Sequence, residues 1–320
     1  MGLMRAIQFD AFGGPEVLRV RSVPRPVVGS GEVLVRVQAS TVNGHDLLAR
    51  SGALRIRTGR RFPMGVGIDF AGVVAGCGDG VSLGPGTAVW GSLPAMTGHV
   101  TGTMADYVVV GADRVAPMPP GLSPAEAASL VVPGPTAVRA LRRSARVKAG
   151  ERLLVRGAGG GVGLAVVQLG VAIGAAVTTL SAERDFERLR SYGVKFPLDY
   201  RAHAVDDLDR FDVIVDTVGR ELLAYRRRLA PGGRMVAIAA GSVGELAGAV
   251  ASVVFGPRRL RFFSDDARTE HLNAVTELVE AGVLRPVLGP RYTLDGVADA
   301  HRSLAAGGCT GKRVVDISPL

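Results

Sequence analysis

Apolar residues alternate with polar ones along the first third of the chain. Within residues 31–39, Val33, Val35 and Val37 share one face, and a period of two is that of a half-buried β-strand. Four further runs have the same character and are separated by Gly and Pro: 4–10, 72–75, 87–90 and 105–110. The pattern predicts a compact, mostly antiparallel β domain that ends near residue 122.

The pattern changes after residue 122. In Ser123-Pro-Ala-Glu126 a serine, a proline and a glutamate are spaced as in a capped helix start. From residue 152, strand-like runs alternate with helical ones, and the predicted strands are 152–156, 177–180, 195–198, 211–216, 234–239 and 260–263. This alternation is typical of an α/β domain with a doubly wound parallel sheet. A helix over about 266–280 and a strand over 312–317 are predicted in the remainder, 266–320.

A glycine-rich segment follows the first of these strands. Residues 153–163 read Leu-Leu-Val-Arg-Gly-Ala-Gly-Gly-Gly-Val-Gly and lead into a predicted helix at 164–173. Glycines between a strand and a helix let backbone N–H groups approach a pyrophosphate at the positive end of the helix. Ala158 stands where the usual motif has its first glycine, but the strand–turn–helix context predicts a dinucleotide site. The predicted contacts are Gly160, Gly161, Val162 and Gly163.

The end of the second strand bears on the type of dinucleotide. Glu183 lies at a distance from Gly163 that leaves NAD open. Ser181, however, is predicted at the strand exit, and Arg184 follows it. A hydroxyl and a guanidinium suit a 2′-phosphate, so we favour NADP(H). The alternative for Arg184 is a solvated arginine in the first helical turn.

Composition narrows the class of protein. Of 320 residues, 47% are hydrophobic and 21% charged, which excludes extensive disorder. The net charge is +9, but only three of the 38 basic residues are lysines and the arginines are dispersed along the chain, so we expect no nucleic-acid partner. Two cysteines, Cys77 and Cys309, are too few for a disulfide framework and fit a reducing, cytoplasmic location.

One uncharged stretch has the length of a membrane span. Residues 157–182 carry no charged side chain, and a transmembrane helix needs about 20 such residues. Its glycines and Gln168 divide it more naturally into a turn, a helix and a strand. The N-terminus lacks the long apolar core of a signal peptide. We therefore expect no membrane association.

The chain resembles the medium-chain dehydrogenase/reductase superfamily, in its zinc-free quinone oxidoreductase branch. The segments that carry the resemblance cover almost the whole sequence: 12–18, 31–37, 69–74, 133–137, 157–163, 211–219, 229–234 and 311–315. The resemblance implies a GroES-like catalytic domain built from both chain ends (1–122 and 266–320) around a Rossmann NADP-binding domain (123–265). It also implies a cofactor in the cleft between the two domains.

The zinc ligands of related dehydrogenases are missing. Asn43 stands in place of their first ligand, a cysteine, and Ile68 in place of their second, a histidine. Their lobe of four cysteines is also absent. Because zinc needs thiolate, imidazole or carboxylate ligands, we expect no metal.

The resemblance implies roles for several other residues. Thr136 matches a threonine beside the nicotinamide, Tyr200 a tyrosine beside the adenosine phosphate, and Lys312 a lysine near the cleft. Ala240 and Phe263 fall in segments that flank the nicotinamide ribose. All five are expected to contact the cofactor.

His45 is the most individual feature of the sequence. It follows Asn43 by two residues, where zinc-dependent relatives carry the hydroxyl of a proton relay. A histidine titrates near neutral pH, so His45 is a candidate proton donor, with Asn43 as a second catalytic candidate. The alternative is a loop histidine bonded to backbone or solvent.

Without zinc, the expected reaction is hydride transfer from NADPH to a quinone or an α,β-unsaturated carbonyl compound. The alternatives are a polyketide or acyl enoyl reductase and a weakly catalytic NADPH-binding regulatory protein. We expect a small-molecule substrate and a homodimer formed along the strand near 260–263, because an unpaired edge strand favours pairing. The arginine run 55–61 is a candidate site for an anionic substrate or an acyl carrier protein, with a solvated loop as the alternative.

Overall fold

The computed structural model describes residues 2–95, 97–238, 260–263 and 267–317. The chain divides into two compact units. Unit 1 comprises Met1–Val132, Asp266–Glu280 and Pro286–Leu320, and unit 2 comprises Pro133–Asp265 and Ala281–Arg285.

Unit 1 is rich in strands. Its described strands are β1 (Leu3–Phe9), β2 (Arg19–Pro24), β3 (Glu32–Thr41), β4 (Met64–Gly65), β5 (Asp69–Cys77), β6 (Ala88–Ser92), β7 (Tyr107–Gly111), β8 (Val115–Pro117), β15 (Leu288–Thr293) and β16 (Lys312–Asp316). Its described α-helices are α1 (Gly44–Arg50), α2 (Arg55–Thr58), α3 (Pro124–Val131), α8 (Thr269–Glu280) and α9 (Val297–Ala306). Short 3-10 turns cover 15–17, 112–114 and 294–296.

Two sheets organise unit 1. The smaller has the order β2-β1-β4, and the larger has the order β15-β16-β3-β5-β6-β8, with β7 also paired to β3. All these pairings are antiparallel except β15 with β16. The inward faces of β3 and β5 are buried and include Val35, Val37 and Phe70. The predicted antiparallel β domain is thus observed, and β16 joins the C-terminal part of the chain to it.

Unit 2 alternates strands and helices. Its described strands are β9 (Arg152–Arg156), β10 (Ala176–Ser181), β11 (Phe196–Asp199), β12 (Phe211–Asp216), β13 (Leu229–Ala237) and β14 (Leu260–Phe262). Its described α-helices are α4 (Pro133–Val138), α5 (Gly161–Ala172), α6 (Phe186–Ser191) and α7 (Leu222–Arg227). A π-helical segment covers 139–145, and 3-10 turns cover 183–185 and 205–207.

The six strands of unit 2 form one parallel sheet in the order β11-β10-β9-β12-β13-β14. Chain order reverses between β9 and β12, and ligands of such sheets bind at the carboxyl ends of the strands at that point. The glycine-rich segment follows β9 there. The predicted doubly wound sheet is therefore confirmed.

Several boundaries differ from the expected ones. Unit 1 extends to Val132, beyond the expected end at 122, because α3 packs against β3, β5 and β6. Helix α5 begins at Gly161, inside the glycine segment, rather than at 164. Strand β13 begins at Leu229, before its predicted start at 234, with a shift of register against β12.

The uncharged stretch 157–182 contains the turn, α5 and β10. None of the described helices combines the length and apolar character needed to cross a membrane.

Candidate active site

Asn43 lies in unit 1, between the last residue of β3 and the first residue of α1. The carboxylate of Asp46, three residues later, accepts the backbone N–H of Asn43 at 2.7 Å and that of Gly67 at 3.1 Å. The first of these bonds is the return arm of a capping box. Asp46 therefore fixes the start of α1 against the segment that leads into β5.

The amide side chain of Asn43 lies between two buried charged groups. Its Nδ2 donates to Asp69 Oδ2 at 2.8 Å, and its Oδ1 accepts from Lys312 Nζ at 2.5 Å. Thr41 Oγ1 also donates to Asp69 Oδ2, at 2.6 Å, and Lys312 Nζ lies 3.8 Å from that oxygen. Asn43, Asp69 and Lys312 form one polar cluster, which we call the Asn43 network.

Burial dominates the electrostatics of the Asn43 network. It lowers the pKa of Lys312, which the Asp69 carboxylate opposes. It raises the pKa of Asp69, which the Lys312 ammonium and the bonds from Asn43 and Thr41 oppose. Each group is thus the chief compensation for the charge of the other, because a buried charge is tolerated only when paired and hydrogen-bonded.

His45 lines a small pocket in unit 1 that is partly open to solvent. The other lining residues come from β1, α1, the end of α2, the segment 64–68 and the segment 97–99, and they include His99 and Thr58. Both ring nitrogens of His45 are buried without a hydrogen-bond partner, and Nδ1 lies 3.9 Å from Asp46 Oδ1. The His45 ring therefore lies in the pocket wall without a hydrogen bond, and the Asp46 carboxylate is its nearest charged neighbour among the contacts described.

Asp46 is a buried carboxyl group beside the His45 ring. Burial by itself raises the pKa of this carboxyl, but the His45 ring and the Asn43 backbone N–H help to hold that pKa below its usual value. Asp46 is thus an anion at neutral pH. A carboxylate beside a histidine fixes the orientation of the ring.

His99 forms another part of the pocket wall. Its Nε2 lies 2.8 Å from the carbonyl oxygen of Pro94, and because a carbonyl can only accept, that nitrogen carries the proton. Burial lowers the pKa of His99, so the ring is neutral at pH 7.

A further histidine, His301, interacts electrostatically with Asp46. His301, on α9, is 0% exposed, and neither of its ring nitrogens has a hydrogen-bond partner. Burial lowers its pKa to about 4, with Asp46 opposing the shift and Arg50 adding to it. His301 is therefore a neutral core residue at neutral pH.

The glycine segment of unit 2 is a site made of backbone. Gly157 has a φ of +76°, and a Cβ on Gly163 would clash with the Gly157 carbonyl and lie 2.8 Å from Ala158 Cα. Gly160 has no side chain to cap α5, so the first N–H groups of the helix, on Gly161, Val162 and Gly163, have no cap from that residue. These three donors fit an anionic phosphate.

Arg156 orders the loop on the other side of the glycine segment. Its guanidinium pairs with Asp216 Oδ2 at 2.8 Å and Glu221 Oε2 at 3.2 Å, and lies 3.9 Å from the centre of the Tyr225 ring. Asp216 in turn accepts the backbone N–H groups of residues 218 and 219. Arg156 thereby links the carboxyl ends of β9 and β12.

The residues expected at a 2′-phosphate lie at the ends of two neighbouring strands. Ser181 ends β10 and is buried, with its hydroxyl on the carbonyl of residue 182 at 3.3 Å. Tyr200 follows β11, is 51% exposed, and its backbone N–H donates to the Ser181 carbonyl at 3.2 Å. Arg184 is exposed in the 3-10 turn after β10. The structure thus brings Ser181 and Tyr200 together.

The remaining predicted residues are distributed as follows. Thr136 is buried on α4, which packs against α5. Phe263 follows β14, and its ring centre lies 4.8 Å from the Arg139 guanidinium. Lys312 belongs to the Asn43 network of unit 1. Ala240 lies outside the described residues.

Sequence reasoning missed three residues of the site: Asp46, Asp69 and His99. The spacing of Asn43 and Asp46, typical of a capping box, is a signal for the first. No comparable signal marks Asp69 or His99. Within the described parts of the chain, no group of three His, Cys, Asp or Glu side chains is arranged to hold a metal ion.

Two family models match the chain. The model described as alcohol dehydrogenase GroES-like domain matches residues 29–120, and the model described as zinc-binding dehydrogenase matches residues 192–315. The first falls within unit 1, and the second covers the later strands of the parallel sheet and the return to unit 1.

Curated proteins and solved structures are similar over the whole length. A quinone oxidoreductase of Mus musculus is 32% identical, with 98% of each chain covered. A 2-methylene-furan-3-one reductase of Solanum lycopersicum is 33% identical over 99% of this chain and 80% of its own. The solved quinone oxidoreductase from Coxiella burnetii is 28% identical, covers 99% of this chain and 100% of its own, and has a TM-score of 0.89.

Proposed function

The chain belongs to the medium-chain dehydrogenase/reductase superfamily, in its quinone oxidoreductase-like branch, and we propose that it reduces quinones or carbonyl-conjugated double bonds with NADPH. Members of this family are oxidoreductases that use a nicotinamide dinucleotide. The similarity to a quinone oxidoreductase and to a 2-methylene-furan-3-one reductase supports both substrate types.

The observation that carries the proposal is the Asn43 network. The resemblance assigns Asn43 and Ile68 to the places of zinc ligands, and an aliphatic side chain offers a metal no donor. A divalent cation beside Asn43 would also meet the Lys312 ammonium, 2.5 Å from the Asn43 oxygen. The residues present do not fit zinc. An enzyme without a Lewis acid needs an acceptor that is already polarised, which quinones and enones are.

The residues of unit 2 fit NADP(H). The first turn of α5 offers N–H groups to the pyrophosphate, and the absence of a side chain at Gly160 leaves space for it. Ser181, Arg184 and Tyr200 supply polar groups at the ends of β10 and β11, which supports a 2′-phosphate there. Thr136 and Phe263 are proposed contacts of the nicotinamide half. When bound, the reduced cofactor supplies the hydride.

His45 is the proposed proton donor. Hydride addition to an enone or a quinone leaves negative charge on oxygen, and a donor at the pocket wall can neutralise it. Asp46, held by two backbone N–H groups, fixes the orientation of the ring. The Asn43 network keeps α1, and hence His45, in place.

The test is NADPH oxidation with a panel of quinones and enones, followed by pH profiles of His45→Ala and His45→Gln. We expect turnover with the wild-type chain and a loss of kcat of at least about 100-fold in both variants, the usual contribution of a general acid. Wild-type rates in the variants across pH 6–8 would exclude the donor role. Tight NADPH binding without turnover on any acceptor would favour a regulatory protein instead.

We further propose a cytoplasmic homodimer. Strand β14 ends the described sheet of unit 2, and an unpaired strand edge favours pairing with a second copy. Light scattering at micromolar concentration measures this directly. We expect the mass of two chains, and the mass of one chain would contradict the proposal.

A further inference from the structure

One segment of unit 1 that contributes residues to the pocket carries only positive charge. Residues 47–68 contain five arginines and no aspartate or glutamate. Four of these arginines, Arg55, Arg57, Arg60 and Arg61, are exposed. We call these four the arginine rim.

The arginine rim is unlike other exposed arginines of this unit. Arg5 pairs with Asp106 at 2.8 Å, and Arg291 pairs with Asp316 at 2.8 Å. No member of the rim makes an ion pair with any acidic side chain in the described parts of the chain. Four like charges within seven residues repel one another.

The arginine rim is next to a pocket residue in the chain. Thr58, which lines the pocket, lies between Arg57 and Arg60 in the chain. Across the pocket, Gly98 packs so closely on Thr58 that a Cβ there would clash with the Thr58 carbonyl. Helix α2, which carries Arg55 and Arg57, thus ends at a residue that packs against the wall formed by 97–99.

The described residues that line the pocket include no exposed acidic side chain that could pair with the arginine rim. The segment 80–105, which supplies the wall with residues 97–99, contains no charged side chain. The one carboxylate among the lining residues is Asp46, which is 2% exposed and bonded to two backbone N–H groups. A ligand in the pocket therefore meets positive charge at this border.

We propose that the pocket takes substrates that carry a carboxylate or a phosphate, and that the arginine rim binds this anionic group while the reducible carbonyl compound lies against His45. The inference rests on the proposed function and narrows its substrate class. Guanidinium groups bind carboxylate and phosphate in a bidentate manner, and a one-signed rim beside apolar walls raises the local concentration of an anion.

One exposed apolar residue lies between two arginines of the rim and suits a ligand that carries an apolar chain beside its anionic group. Ile56, between Arg55 and Arg57, is 95% exposed. An isoleucine beside guanidiniums suits a ligand with an apolar chain next to its charge. A carboxylate on a short chain and the phosphates of an acyl thioester share this chemistry.

Two matched substrate pairs test the proposal and separate the two sources of negative charge. The first pair is 4-oxopent-2-enoate and its methyl ester. The second is crotonyl-coenzyme A and the neutral crotonyl N-acetylcysteamine thioester. Within each pair the carbon skeleton at the double bond is the same and the charge differs. Because esterification also alters the reactivity of the double bond, it is the change of the kcat/KM ratio between the wild-type chain and the rim variant that isolates the anionic group.

The ratios are compared in the wild-type chain and in Arg57→Gln/Arg60→Gln. We expect a wild-type preference for the anionic member of at least one pair, which falls about tenfold in the double variant and also falls with added salt because exposed charges are screened. The control is Arg142→Gln/Arg143→Gln, two exposed arginines of unit 2, which removes the same charge and should leave the ratios unchanged.

The outcomes separate the two proposals. A preference in the first pair identifies a small carboxylate, and a preference in the second identifies a phosphate-bearing thioester. Reduction of the neutral members with no anionic preference, or an equal fall in the control variant, overturns the role of the rim alone. Failure to reduce any member or any quinone overturns the proposed function as well.

Discussion

The candidate site of unit 1 is built from side chains, whereas that of unit 2 is built from backbone. In unit 1 the Asn43 network is made of side chains whose hydrogen bonds are used on one another. In unit 2 the glycine segment is made of backbone, and its helix starts without a side-chain cap. Removal of a charge should therefore damage the first site, whereas addition of a methyl group should damage the second.

The largest expected effect is the loss of the buried cation. Lys312→Met leaves the Asp69 carboxylate buried without its compensating charge, which costs about 3–5 kcal/mol. Urea unfolding of the variant measures this loss. Lys312→Met/Asp69→Asn removes both charges and should recover much of it. Equal stability of the single and double variants would show that the charges are not coupled.

Acid should lower the stability of the protein through a buried histidine of unit 1. His301 has a pKa of about 4 in the folded chain and about 6.5 when unfolded. Above pH 6.5 the ring is neutral in both states, and the folded chain has its full free energy of unfolding. As the pH falls towards 4, the unfolded chain binds a proton that the folded chain does not, and the free energy of unfolding is about 2 kcal/mol lower at pH 5.

The measurement is denaturant unfolding at pH 7.5 and pH 5 for the wild-type chain and His301→Gln. The variant should lose about 2 kcal/mol less between these pH values, because glutamine does not titrate. Identical losses in the two proteins would exclude His301 as the source.

Replacing each of two glycines of unit 2 by alanine should affect different properties, stability in one case and cofactor binding in the other. A methyl group on Gly163 would clash with the Gly157 carbonyl, so Gly163→Ala should cost about 1–3 kcal/mol of stability. Gly160 has a φ of −80° and its nearest neighbour would lie 3.5 Å from a Cβ. Gly160→Ala should therefore fold normally, within about 0.5 kcal/mol, but bind NADPH about tenfold more weakly.

Unfolding curves and NADPH titrations of both variants check this contrast. Unchanged NADPH affinity in Gly160→Ala would mean that the pyrophosphate does not approach that residue.

The smallest expected effect concerns the choice of dinucleotide. Arg184→Gln should raise the Kd for NADPH about five- to tenfold, as the loss of one exposed charge-assisted contact does, and leave the Kd for NADH unchanged. Arg188→Gln, an exposed arginine on α6, is the matched control. Equal weakening of both dinucleotides would contradict a 2′-phosphate contact.

Local patterns predicted the parallel sheet best. The strands at 152–156 and 211–216 are observed with the predicted bounds, because their apolar runs are bounded by polar or turn residues. The helix after the glycine segment was predicted to start at 164 but starts at Gly161. Glycine has a low helix propensity, and here packing of α5 against α4 and β9 outweighs it.

The polar contacts of unit 1 were less accessible to sequence reasoning. Asn43 and His45 were singled out from the order of residues, but the partners of Asn43 lie 26 and 269 positions away. No local period or motif links such positions. The buried carboxylate of Asp69 and the wall formed by His99 depend on chain segments that meet only after folding.

The amino-acid sequence by itself determined the two-part α/β architecture, the glycine segment after β9 and the absence of thiolate or imidazole side chains at positions 43 and 68. These features depend on periodicity, glycine placement and residue type, which act locally. The tertiary structure decided the bonding of Asn43, the unbonded state of His45 and the neutral burial of His301. Those properties depend on desolvation and on charges from distant segments, and both arise only when the segments pack together.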